Sequence, residues 1–213
     1  RIWVNAVRRI ILRQGARHGR PLKLPQHFQG TVLLPVPQRR TRQMQTLKRG
    51  DVRELPAPIA ADMKLIAAVG QRRSVREFSD QKVDASILAH VLWCTCGTSS
   101  AEGKLTVPTT MDRREMTAYV LDSEGVWRYD PVKNALVCTH AGDARADSTT
   151  DQDFVKTAPV TLVIAADNKK AAGIEDYVKY DAGFCGMAAQ LACVAVGLGS
   201  VVRGSFDAEK LTR

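Results

Sequence analysis

Three arginines and one serine fall within five residues, Arg72-Arg73-Ser74-Val75-Arg76, at the end of an apolar-periodic run. A guanidinium is a planar fork of donors that stays charged at any working pH, so it matches the oxygens of a phosphate or another planar acceptor. A hydroxyl between two such forks adds a donor to the same anion. This stretch is read as a grip on a phosphorylated, planar cofactor. The alternative from composition alone is a solvated basic turn, with Ser74 capping the next element.

The elements around it set its geometry. Met63, Leu65, Ile66 and Val69 make a helical stripe that delivers the chain to Arg72. Asp84 reads as the N-cap of a helix over 85–94 that ends at Gly97. Thr98–Arg114 is a polar surface loop. Thr117–Leu121 and Val126–Tyr129 form a hairpin through Asp122-Ser-Glu-Gly125. The segment 143–157 is partly helical. The β-branched run 159–166 has the pattern of a strand buried on both faces. Asp176–Leu198 is the longest helical pattern and is apolar round most of its circumference, which predicts a buried central helix. A short strand, Ser200–Arg203, follows. Together these predict an α+β domain with a mixed or antiparallel sheet.

Charge divides the chain. Residues 1–50 hold 12 of its 31 Lys and Arg and no Asp or Glu; the rest carries 31 − 12 = 19 basic against 22 acidic residues, a net of −3. Residues 1–58 are read as a basic, disordered or extended lead-in with at most a short helix near Val4–Leu12, and 59–213 as the folded domain. No nucleic-acid module accompanies the basic arm, so nucleic acid is not expected as a partner. No apolar run reaches the ~18 residues a membrane span needs. The five cysteines form no framework, which suits a reducing, cytoplasmic compartment. No His, Cys or carboxylate spacing suggests a metal. His90 reads as a satisfied histidine. No G-x-G-x-x-G follows a strand, so a Rossmann site is not indicated.

Three motifs, in this order and separation, resemble the nitroreductase family of flavin mononucleotide (FMN) oxidoreductases. They are Arg72-Arg-Ser-Val-Arg-Glu-Phe78, Asp181-Ala-Gly183 opening a helix closed by Gly197-Leu-Gly-Ser200, and Gly204-Ser-Phe-Asp207. The resemblance implies a homodimer with two FMN sites across its interface, NAD(P)H as electron donor, and a small-molecule acceptor such as a nitroaromatic or quinone served in a ping-pong cycle. It also implies that the flavin, rather than a catalytic side chain, carries the chemistry. Carried over by position, Arg72 and Ser74 hold the phosphate or ribityl chain with help from Arg73. Arg76 faces the pyrimidine edge, and the Gly204–Ser205 backbone approaches N5 and O4. Where the family commonly has an Asn against the ring, this chain has Asp112, a carboxylate that would disfavour reduction unless it pairs with Arg113 or Arg114. The family's closing strand and its phosphate-binding basic residues fall beyond Arg213, so the domain is expected to be incomplete at its C-terminus. Two other readings are a peptide-azoline dehydrogenase of the same family, with a general base such as a Lys–Tyr pair drawn from Tyr177, Lys179 and Tyr180, and a non-catalytic flavin-fold or basic-arm binding protein.

Overall fold

The computed structural model describes residues 8–14, 46–206 and 208–211. Among these, eight strands form one sheet. They are β1 (Arg8–Gln14), β2 (Val52–Glu54), β3 (Met116–Leu121), β4 (Gly125–Asp130), β5 (Ala135–Ala141), β6 (Val160–Ala166), β7 (Leu198–Gly199) and β8 (Val202–Arg203). Their spatial order is β2-β5-β4-β3-β6-β1-β7, with β8 also against β1, and every named pairing is antiparallel. The helices are α1 (Leu65–Gln71), α2 (Ala85–Cys96), α3 (Phe154–Thr157), α4 (Asn168–Ala171), α5 (Val178–Ala195) and α6 (Ala208–Leu211). The α+β expectation holds.

The first strand corrects the sequence reading. Arg8–Gln14 is extended, pairing Arg8 with Ile164 and Ile10 with Val202, where a short helix had been expected near Val4–Leu12. An available strand edge on β6 supplies ladder partners that a short isolated helix lacks. Strand β2 also comes from before residue 59. The segment 15–45 of the basic lead-in lies outside the described residues.

β6 is buried at all seven positions, as a two-sided strand must be. The core lies between the sheet and α2 and α5, with Leu92, Trp127, Tyr129, Leu136, Leu162 and Ile164 almost wholly enclosed. Asp84 caps α2, its carboxylate accepting from the Ser86 N–H at 2.8 Å. His90 is satisfied, its Nδ1 lying 2.7 Å from the Ile59 carbonyl.

α5 departs from the all-round burial read from its composition. Val178, Ala182, Cys185, Ala189 and Cys193 face inward, but Tyr177, Tyr180, Phe184 and Met187 are exposed. These four lie three to four residues apart and so make one stripe. Leu65, Ile66 and Val69 of α1, which packs on α5, are exposed as well. Isolated exposed apolar residues are ordinary; a run of seven on two adjoining helices marks a contact surface.

Candidate functional site

The Arg72–Arg76 stretch leaves α1 and runs beside the segment that follows α5. Ser74 and Ser200 form a parallel bridge, and the Val75 N–H donates to the Ser200 carbonyl at 3.0 Å. The fit depends on Gly199: a Cβ there would sit 3.0 Å from a Val75 methyl. The opening helix and the segment beyond the long helix are therefore held together, as the motif order suggests.

Arg72 is half-buried, while Arg73, Ser74 and Arg76 are exposed. Arg73 donates to the carbonyls of Gly70 and Arg72 at 3.0 and 2.8 Å. Among the described residues, no ion pair engages any of the three guanidiniums. Gly204 lies one residue past β8, exposed, and a Cβ built on it meets nothing within 4 Å. Its backbone thus borders open space that a ligand could enter closely.

Sequence reasoning missed the support beneath Gly204. Arg203 is buried, donating to the Gln152 side chain, to Thr149 Oγ1 at 3.0 Å and to the Ser205 carbonyl at 3.0 Å. Its Nη1 is buried with no partner among the described residues. The Ser205 hydroxyl is engaged with Thr150 and Asp151 at 3.1 and 3.2 Å, so this residue is oriented toward the protein through its side chain. Its reach toward a ligand is confined to the backbone. No sequence motif marked Arg203, whose role depends on the 149–152 segment more than 50 positions away.

Asp112 stands elsewhere. It sits in a loop where Met111, Asp112 and Arg114 all take positive φ (53°, 53° and 52°), a conformation that non-glycine residues rarely adopt. Such strain persists only where surrounding bonds over-determine it. Here Thr110 donates through its N–H and hydroxyl to Asp181 at 2.8 and 3.2 Å, and the Arg114 N–H donates to Thr109 Oγ1 at 3.0 Å. Asp112 accepts from Arg114 at 2.7 Å and from Lys104 at 3.2 Å. These bonds, Arg114's first, hold its carboxyl well below the usual range. Of the two partners anticipated for Asp112, Arg114 is the one used, and Lys104 is an addition.

Behind this loop lies an enclosed acid. Glu115 is fully buried, and neither carboxylate oxygen has a hydrogen-bond partner of regular geometry among the described residues. Burial first, then the neighbouring Asp181 carboxyl, raises its pKa to about 7.

Asp181 lies in the first turn of α5, so it ties the 109–112 loop to the N-terminal end of that helix. Ser200, beside the arginines, follows its C-terminal end. An 18-residue helix is about 27 Å long at 1.5 Å per residue. Within one chain, then, Asp112 and the Arg72–Ser74 stretch stand at opposite ends of a rod.

The family's sequence profile matches residues 69–213, which takes in all of these parts. The chain belongs to the nitroreductase family. A Methanocaldococcus jannaschii protein named "Putative nitroreductase" is 28% identical over 171 residues, covering 74% of this chain and 86% of the relative. A solved structure from Ralstonia eutropha, titled a "putative nitroreductase", superimposes with a TM-score of 0.70 at 32% identity, over 78% of this chain and 85% of that one. Another so titled, from Anabaena variabilis, gives a TM-score of 0.59 at 19% identity over 70% of this chain and 35% of that one, a likeness of fold. Family membership makes the chain an oxidoreductase. Its residues also suit the flavin that the family implies: Arg72 and Arg76 are cations without ion-pair partners among the described residues, and the bare Gly204 backbone faces open space. Among those residues, no helix is long and apolar enough to cross a membrane.

Proposed function

We propose that this chain is one subunit of a homodimeric oxidoreductase that binds FMN at two sites across its interface and passes reducing equivalents from NAD(P)H to an electron-poor acceptor such as a nitroaromatic or quinone. When bound, the flavin supplies the two-electron chemistry in separate reductive and oxidative half-reactions. The protein's residues bind and orient. Arg72 and Ser74 take the phosphate or ribityl chain, with Arg73 shaping the turn through its bonds to Gly70 and Arg72. Arg76 would present a cation to the pyrimidine edge, where reduction adds negative charge, and so favour the reduced form. Gly204 and Ser205 offer backbone to the ring, braced by Arg203.

The observation that carries this reading is the separation of the two groups along α5. The loop bearing Asp112 and the arginine group cannot meet on one flavin within a single chain. Antiparallel pairing of two α5 helices along the Tyr177–Tyr180–Phe184–Met187 stripe would set one subunit's loop beside its partner's arginine group. The same pairing would cover the exposed apolar surface. It would also bring a neutralised Asp112, already bound by Arg114 and Lys104, to the ring.

The test is an absorbance spectrum of the purified protein, with and without added FMN, alongside its mass in solution. Yellow dimer that is bleached by NADPH and recoloured by a quinone supports the proposal. A colourless monomer that takes up no added FMN refutes it.

A further inference from the structure

The sheet forks. β3 and β4 are laddered only from Tyr119↔Arg128 to Leu121↔Val126. Beyond Tyr119, β3 continues on β6 as far as Met116↔Ala166, while β4 continues on β5 as far as Asp130↔Ala135. The two strands part, and a cleft of about 330 Å³ opens between their ends. That volume is within the range of small-molecule sites.

The cleft's accessible apolar wall is Leu105, Pro131 and Val132, while Met116, Tyr129 and the thiol of Cys96, whose pKa burial pushes up to about 12, form its buried floor. Arg114, Arg128 and Lys170 also line it, and no carboxylate does. Arg114 is partly spent on Asp112, and Lys170 donates to the Arg114 carbonyl at 3.2 Å. The Arg128 guanidinium has neither an ion pair nor a hydrogen bond among the described residues. A half-buried, unpaired guanidinium beside an apolar wall is suited to an anion that brings apolar surface with it. An inorganic anion would leave most of the wall wet, and a neutral apolar molecule would leave Arg128 without a partner.

We propose that the fork between β3 and β4 is a binding site for a small organic monocarboxylate with an aromatic or alkyl body, its carboxylate held by Arg128 and its body against Leu105, Pro131 and Val132. The site is formed within one chain and stands whether or not flavin binds.

Titration of the full chain with benzoate, followed by calorimetry and by tryptophan fluorescence, tests it. Trp93 reports on the cleft because its indole N–H donates to the carbonyl of Thr98, a lining residue, at 3.1 Å. Benzoate should saturate a single site per chain. Its neutral isostere benzamide, and inorganic phosphate, should each bind at least about tenfold more weakly, the scale of a lost charge-assisted contact or a lost apolar one. Arg128→Gln should weaken benzoate about tenfold or more while leaving the melting temperature unchanged. Were that variant not to fold, Arg128→Met, which keeps the aliphatic stem without the charge, serves instead, with the same loss expected. No benzoate binding up to about 10 mM, well beyond the millimolar range of even a weak specific site, would overturn the proposal. So would benzamide or phosphate equalling benzoate, or undiminished benzoate binding in the folded variant.

Discussion

Replacing Glu115 by Gln should remove a large part of the protein's pH dependence of stability between pH 5 and 8. Glu115 is fully buried, and Asp181, Lys170 and the Cys185 thiol are the titratable groups whose charges bear on it. Its carboxyl ionises near 4.5 when unfolded and near 7 in the fold. The folded chain therefore prefers the protonated form. This contribution is fully present below pH 4.5 and is lost as pH rises through 7. Linkage over a gap of that size gives a loss of roughly 2–3 kcal/mol between pH 5 and 8, at about 1.36 kcal/mol per unit of displacement. Glutamine keeps the shape and cannot ionise. Urea unfolding of both proteins at several pH values from 5 to 8 measures the difference directly. The wild type should lose stability relative to Glu115→Gln as pH rises, with most of the change between pH 5 and 7. Parallel stability curves would show that the enclosed carboxyl does not hold its proton, and the account of the loop's underside would fail.

Other perturbations address the remaining parts. Asp84→Ala should lower stability by about 1 kcal/mol through loss of the α2 cap, seen as a shifted denaturation midpoint with unchanged slope. Phe184→Glu, placed on the exposed stripe of α5, should convert dimer to monomer by sedimentation velocity while leaving far-ultraviolet circular dichroism intact. Arg72→Ala and Arg76→Ala should each weaken FMN binding by roughly 2–4 kcal/mol in a fluorescence-quenching titration, as for loss of a charged contact in an enclosed site. Wild-type affinity in both would remove the arginines from the cofactor site.

Much of this architecture is legible in the sequence because periodicity and punctuation agree. Asp84 caps the helix it was expected to cap, the hairpin turns at Asp122–Gly125, and the β-branched run 160–166 is buried on both faces. Three features escaped for physical reasons. Arg8–Gln14 alternates poorly and sits among basic residues, so only the edge it pairs with reveals it as a strand. α5 reads as wholly buried because its exposed stripe is itself apolar, and composition cannot distinguish contact with the core from contact with another chain. Within the candidate site, the arginines and Gly204 were marked by motif. The bonds that shape the surroundings, Asp181 to Thr110, Arg203 to Thr149 and Ser205 to Asp151, join distant positions and leave no local trace.

Strand β1 has a consequence for how the protein is made. Arg8 pairs with Ile164 and Arg9 with Arg203, so β1 leaves the ribosome well before β6 and β8, the strands that complete it. At about 5–20 residues per second, some 8–30 seconds of synthesis separate Arg8 from Ile164. Through that interval β1 lacks its ladder partners, and long-range closure of this kind is slow even afterwards. The nascent chain is thus an expected client of holding chaperones, and its yield should depend on translation speed more than its final stability would suggest.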